Sequence, residues 1–192
     1  PKAEKDDYLP ELINADLDLE HLTKQMQKLP ERRFSLCLYG PPGTGKTAYL
    51  RHLAKELEME VLVKRASDLL GAFVGETEQQ IAKAFREAEN NGAFLVFDEA
   101  DSLLSDRRDA RQSWQVSQVN EMLTWMESHP LPFACTTNLR ERLDPASLRR
   151  FTFKCCVDYM ESFQLDKAFR SFFNLPLSPE QLGRLSLLTP GD

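Results

Sequence analysis

Residues 34–47 read Phe34-Ser35-Leu36-Cys37-Leu38-Tyr39-Gly40-Pro41-Pro42-Gly43-Thr44-Gly45-Lys46-Thr47. The opening six predict a buried strand. Gly40-Pro41-Pro42-Gly43 ends it, because neither a strand nor a helix continues easily through such a run. A helix is then expected from Lys46 to Leu57. The stretch fits G-x-x-x-x-G-K-[ST] where that pattern has meaning, after a strand and at the opening of a helix. Its glycines let the backbone curl so that N–H groups point inward at phosphates. The helix N-terminus adds partial positive charge. Lys46 is expected to reach the β- and γ-phosphates of a nucleotide, and the Thr47 hydroxyl to hold Mg²⁺. The nucleotide-lining set is therefore Gly40, Pro41, Pro42, Gly43, Thr44, Gly45, Lys46, Thr47 and Ala48. The plainer alternative is a Gly/Pro turn that happens to precede a lysine.

Working outward, short apolar runs alternate with helical patterns. Leu17, Leu19, Leu22, Met26 and Leu29 fit one helix face. Val61-Leu62-Val63, Phe94-Leu95-Val96-Phe97, Phe133-Ala134-Cys135-Thr136 and Phe153 to Val157 read as further strands. Helices are expected over Thr77–Asn90, stopped by Asn91-Gly92, and over Trp114–Glu127. Strands without polar alternation, interleaved with helices, predict an α/β fold: a parallel five-stranded sheet covered on both faces. Ligands in such folds sit beyond the carboxyl ends of the strands. After about Met160 only helices are expected, Phe163–Phe173 and Pro179–Leu188. Residues 1–160 thus read as a large nucleotide-binding domain with a lead-in, and 161–192 as the start of a small helical lid, cut short.

The second chemical signal is Phe94-Leu95-Val96-Phe97-Asp98-Glu99. A buried strand ending in two acids is costly unless they meet a cation. Asp98 is suited to orient water on Mg²⁺, and Glu99 to polarise the attacking water as a general base. The alternative is a solvated pair of carboxylates, which the phosphate loop upstream argues against.

These features, with Ala100-Asp101, Thr137-Asn138 and the run Leu143-Asp144-Pro145-Ala146-Ser147-Leu148-Arg149-Arg150-Phe151, resemble the AAA+ ATPases, P-loop NTPases. The likeness is greatest to the AAA branch that includes spastin- and katanin-type enzymes, and it covers roughly residues 30–160. The resemblance implies ATP hydrolysis in a ring, a hexamer in the full-length protein, coupled to remodelling or threading of a macromolecule, with protein favoured over DNA. It implies that Asn138 is the sensor placing water near the γ-phosphate, although a strand-end turn is the simpler role for an Asn there. Arg149 and Arg150 match the paired arginines that reach a neighbour's ATP. By spacing alone they read as a solvated basic pair at a helix end; the surrounding run favours the finger. Ala72-Phe73-Val74-Gly75 resembles a pore loop in which Phe73, Val74 and Gly75 grip a polypeptide; the alternative is a core aromatic. Arg107, Arg108 and Arg111 lie where a second pore loop would be, and read equally as a solvated charge run. Asn14-Ala15-Asp16 is placed by position at the adenine pocket. Two departures stand out. Arg149-Arg150-Phe151 replaces the branch's common Arg-Pro-Gly-Arg, and no second sensor arginine is evident, so weak turnover is expected of this segment alone.

Other readings fit less well. Asp98-Glu99-Ala100-Asp101 spells the DEAD helicase motif, but 192 residues are too few for two helicase domains. The Asn-Lys-x-Asp base-recognition motif of GTPases is absent. A nucleotide-gated binding module and a helicase-loader-type ATPase remain alternatives. A net charge of -6 disfavours non-specific binding to phosphate backbones. Cys37, Cys135, Cys155 and Cys156 form no C-x-x-C pair and read as reduced thiols in a cytoplasmic protein. No apolar run is long enough to span a bilayer. The start lacks both Met and a signal peptide's apolar segment, and the end reads as a loop entering another helix, so the chain reads as part of a longer one.

Overall fold

Successive residues of a strand point to opposite faces of a sheet. In β2 (Ser35–Tyr39), Leu36 and Leu38 enter one apolar cluster, while Cys37 and Tyr39 enter another across the sheet. The same division runs along β4 (Phe94–Asp98): Phe94 and Val96 face one way, Leu95 and Phe97 the other. Both faces are covered, which is why these strands carry no polar alternation.

The computed structural model describes residues 8–71, 73, 75–109 and 113–192. Ala72, Val74 and Arg111, named above, lie outside that set. β3 (Val61–Arg65), β5 (Phe133–Thr137) and β6 (Phe153–Asp158) complete the expected parallel strands, in the order β6-β2-β5-β4-β3. One strand was not foreseen. β1 (Asn14–Ala15) pairs antiparallel with β6, Asn14 opposite Asp158 and Ala15 opposite Val157, so the sheet is six-stranded and mixed. Two residues carry no periodicity that could announce a strand.

α1 (Leu19–Gln27) and α2 (Lys46–Glu56) cover one face. α1 starts later than the apolar spacing suggests because Asp18 caps it, accepting from the His21 N–H at 2.9 Å. After the short α3 (Ala66–Leu69), α4 (Glu76–Asn91) and α5 (Ser113–Ser128) cover the other face. Ile81, Ala84, Phe85 and Ala88 of α4 are buried in one cluster, as their helical spacing requires. α6 (Pro145–Arg150) links β5 to β6. A third cluster joins Leu12 to Met160, Leu165 and Ala168, with α7 (Ser162–Phe173) and α8 (Pro179–Arg184) packed around it. α8 stops short of Leu188. The chain turns there, Leu188 accepting from the Met160 N–H at 3.0 Å, and Gly191 then donates to the Gly43 carbonyl at 3.1 Å. Among the described residues no helix is long and apolar enough to cross a membrane.

His129, just past α5, is 2% exposed and lies edge-on to Phe85 at 5.0 Å and to Phe133 at 6.2 Å. Neither ring nitrogen has a partner among the described residues. Burial, with Arg33 nearby, pushes its pKa down to about 4. The unfolded chain therefore binds a proton near pH 6.5 that the folded chain refuses until about pH 4. Stability should fall as pH drops through that window, since the unfolded state holds more protons there. Urea titrations of wild type and His129→Phe at pH 7 and pH 5 should show a smaller acid loss in the variant; equal losses would exclude His129 as the source.

Candidate active site

The phosphate loop leaves β2 at Gly40 and enters α2 at Lys46. Gly43 and Gly45 have φ of +79° and +89°, a region that suits glycine. Side chains would also collide there: a Cβ on Gly43 would sit 2.5 Å from Thr189 Oγ1, and one on Gly45 2.9 Å from Ile13 Cδ1. The Lys46 ammonium is folded back over the loop, donating to the Gly40 carbonyl at 2.7 Å and the Pro41 carbonyl at 2.6 Å. Burial lowers its pKa to about 8, partly offset by Asp98, Asp101, Cys156 and Glu99.

Asp98 ends β4 beside the loop. Its Oδ1 accepts from the Thr47 hydroxyl at 2.8 Å and the Thr136 hydroxyl at 2.7 Å. Thr136 Oγ1 in turn accepts from the Glu99 N–H at 3.0 Å. Glu99 adopts φ +54° and ψ +47°, a left-handed conformation uncommon for a residue of its kind. A 3-10 turn, Ala100–Ser102, follows at once. Asp101 Oδ1 accepts from the Thr137 hydroxyl and, at 3.3 Å, from the Leu139 N–H, so one carboxylate brackets Asn138 from both sides. Sequence reading missed Thr136 and the bracketing role of Asp101, because each acts on a residue more than thirty positions away.

These groups surround one cavity of about 290 Å³, lined by Pro42 through Ala48, Asp98, Glu99, Thr136 and Asn138. Of the predicted lining set, Gly40 and Pro41 do not border it; their carbonyls hold Lys46 instead. An adjoining cavity of about 650 Å³ shares Gly43, Gly45 and Ala48 and adds Leu9, Ile13, Phe172, Pro190 and Gly191. A polar, lysine-bearing chamber opening beside an apolar one suits a phosphate chain attached to a flat base. Ile13, rather than Asn14-Ala15-Asp16, borders the apolar chamber; Asn14 and Ala15 are taken up by the sheet edge and Asp16 binds the Cys156 N–H. Among the described residues no group of three His, Cys, Asp or Glu could hold a metal ion by itself. Thr47 and Asp98 supply two neighbouring oxygens, which fits Mg²⁺, since that ion takes few protein ligands and completes its shell with water and phosphate.

The two arginines of α6 differ. Arg150 is engaged within its own chain: Nε donates to Glu127 Oε1 at 2.7 Å and Nη1 to the Ala146 carbonyl at 3.1 Å. Arg149 is exposed, with no ion pair among the described residues. Phe73 is 75% exposed, so it is not a core aromatic, and Gly75 at φ +90° opens α4 beside it. Arg107 and Arg108 are not a bare charge run: Arg107 pairs with Asp144 at 2.8 Å and Arg108 with Asp106 at 2.6 Å.

Comparison with known proteins agrees with this geometry. The family described as "ATPase family associated with various cellular activities (AAA)" matches residues 36–159. Spastin of Ixodes scapularis is 32% identical over 194 aligned positions, covering 95% of this chain and 29% of that protein. Protein SAV of Sulfolobus acidocaldarius is 36% identical over 120 residues, 60% of this chain and 15% of its own length. Nuclear valosin-containing protein-like of Mus musculus is 33% identical over 119 residues, 59% of this chain and 14% of its own. The chain thus spans less than a third of each of these relatives. With the phosphate loop, the acidic end of β4 and the fold in agreement, the chain belongs to the AAA family of ATPases.

Proposed function

We propose that this chain binds ATP with Mg²⁺ at the Gly40–Thr47 loop and hydrolyses it in an oligomeric ring. The observation that carries the reading is the convergence of Lys46, Thr47, Asp98, Glu99 and Asn138 on one cavity at the carboxyl ends of parallel strands. Loop N–H groups and the Lys46 ammonium hold the phosphate chain, once Lys46 swings off the Gly40 and Pro41 carbonyls. Thr47 and Asp98 would hold Mg²⁺, which neutralises charge on the phosphate oxygens when bound. Glu99 accepts a proton from the attacking water as its oxygen bonds to the γ-phosphorus and the bond to the ADP oxygen breaks. The Asp101 bracket fixes the turn from which Asn138 orients that water. Arg149, with Arg150, is the cation offered to a neighbouring subunit's γ-phosphate. Residues 161–192 are read as part of a helical lid over the base.

A protein is favoured as the remodelled partner. Phe73 offers an exposed ring beside a glycine-opened helix. A DNA-tracking stripe would need unneutralised cations, whereas Arg107 and Arg108 face carboxylates.

Lys46→Ala should abolish ATP binding measured by calorimetry; unchanged affinity would refute the phosphate site. Bound phosphates favour the protonated lysine, so wild-type affinity should decline as pH rises above about 8, with proton uptake on binding. Titrations in two buffers of different ionisation heat detect that proton. Glu99→Gln should bind ATP normally yet lose turnover, and retained hydrolysis would remove Glu99 from the chemistry. Because cation and active site lie on different subunits, turnover per subunit should climb with protein concentration. A flat profile would count against catalysis across subunits.

A further inference from the structure

The segment between β4 and α5 is fastened to the base of α6 by more than a surface ion pair. Arg107 meets Asp144 three times: Nε on Oδ2 at 2.8 Å, Nη2 on Oδ1 at 3.4 Å, and its backbone N–H on Oδ2 at 3.3 Å. Its remaining Nη1 donates to Asn120 Oδ1 on α5 at 2.9 Å. The Asp144 side chain is only 4% exposed. Main-chain contacts reinforce the join: the Asp144 N–H donates to the Leu104 carbonyl and the Asp106 N–H to the Arg142 carbonyl, each at 2.8 Å.

Asp144 is also the N-cap of α6, its Oδ1 accepting from the N–H groups of Ala146 at 2.8 Å and Ser147 at 3.3 Å. α6 has six residues, too few to hold a direction by its own hydrogen bonds. Its aim is set by what grips its ends. Glu127 holds Arg150 near the C-terminal end, and Arg107 holds the cap. Arg149 projects from the helix between these two anchors. A planar guanidinium seated on a buried carboxylate fixes orientation as well as distance, which a lysine ammonium does not.

We propose that Arg107 is a positioning residue that acts on the neighbouring subunit's active site: by locking Asp144, it aims α6 and so delivers Arg149 across the interface. The inference rests on the reading of Arg149 and Arg150 as cations supplied in trans. It makes the effect of Arg107 directional. Loosening it should impair the site next door and spare the site in its own chain.

Mixed assemblies of the full chain test this. Donor chains carry Glu99→Gln, with a silent site and intact arginines. Acceptor chains carry Arg149→Ala and Arg150→Ala, with an intact site and nothing to offer. Mixing should restore ATP turnover in the acceptor sites. Arg107→Lys or Asp144→Asn is then added to one partner at a time. Asparagine still caps a helix, so Asp144→Asn removes the ion pair and keeps the cap. In donors, either change should lower the restored kcat by about tenfold or more, since misplacement on the order of 1 Å costs ~10²-fold. KM for ATP should stay the same. In acceptors, whose arginines are already gone, the same changes should leave restored turnover unaltered. Unmodified restoration by the altered donors, or an equal loss in acceptors, would overturn the inference alone. Failure of the unaltered donor to restore turnover would sink the trans-arginine reading and this inference with it. Should Arg107→Lys fail to fold, Asp144→Asn decides.

Discussion

A single carboxylate oxygen, Oδ1 of Asp98, joins three elements at the carboxyl edge of the sheet. It accepts from Thr47 at the start of α2 and from Thr136 in β5, while belonging to β4 itself. The Gly40–Thr47 loop, the acidic end of β4 and the end of β5 therefore share one point of registration. Thr136 carries the link further, because its oxygen also takes the Glu99 N–H. Glu99 is held in a left-handed conformation that most residues avoid, and the surrounding bonds make that conformation tenable. Loss of the Asp98 carboxylate would free two hydroxyls at once, so its importance is geometric before it is electrostatic.

Much of this was legible in the sequence. Continuous apolar strands implied a sheet buried on both faces, and the division of Leu36 from Cys37 between two clusters is the physical content of that pattern. Pro42 to Thr47 were expected to line a cavity and do so, because the curl of such a loop is local backbone geometry. Thr136 and Asp101 were not legible, since their partners are distant in the chain and nothing local distinguishes such a threonine or aspartate. β1 escaped notice for the same reason: its pairing exists only once β6 is in place. Arg107 could be read either as pore-loop or as solvated charge, because a one-dimensional string does not show Asp144 arriving beneath it; Arg108 stays exposed on Asp106. Position alone suggested Asn14-Ala15-Asp16 for an adenine pocket; in the structure it is Ile13 that borders the apolar chamber, one residue earlier, which in an extended segment points a side chain to the opposite face.

Electrostatics divide the molecule between groups that are paid in hydrogen bonds and groups that are not. Asp144 is buried yet well supplied, by Arg107 and by two helix N–H groups. Lys46 is desolvated but donates to two carbonyls of its own loop. His129 has neither arrangement and stays neutral among aromatic rings. The lysine whose partners can be exchanged lies at the cavity beneath β2 and β4, whereas the unsatisfied ring borders a separate cavity that it shares with Glu127 and Arg150.

Leu12, Ile13 and Asn14 are consecutive, yet each belongs to a different body. Leu12 packs with the C-terminal helices, Ile13 borders the apolar chamber, and Asn14 is hydrogen-bonded into the sheet edge and to the Tyr159 carbonyl. Adjacent Cα atoms are about 3.8 Å apart, so all three anchorages fall within one very short span of chain. Packing at the C-terminal helices, at the apolar chamber and at the sheet edge is therefore joined through three adjacent residues, so a change at any one of these places is felt at the other two.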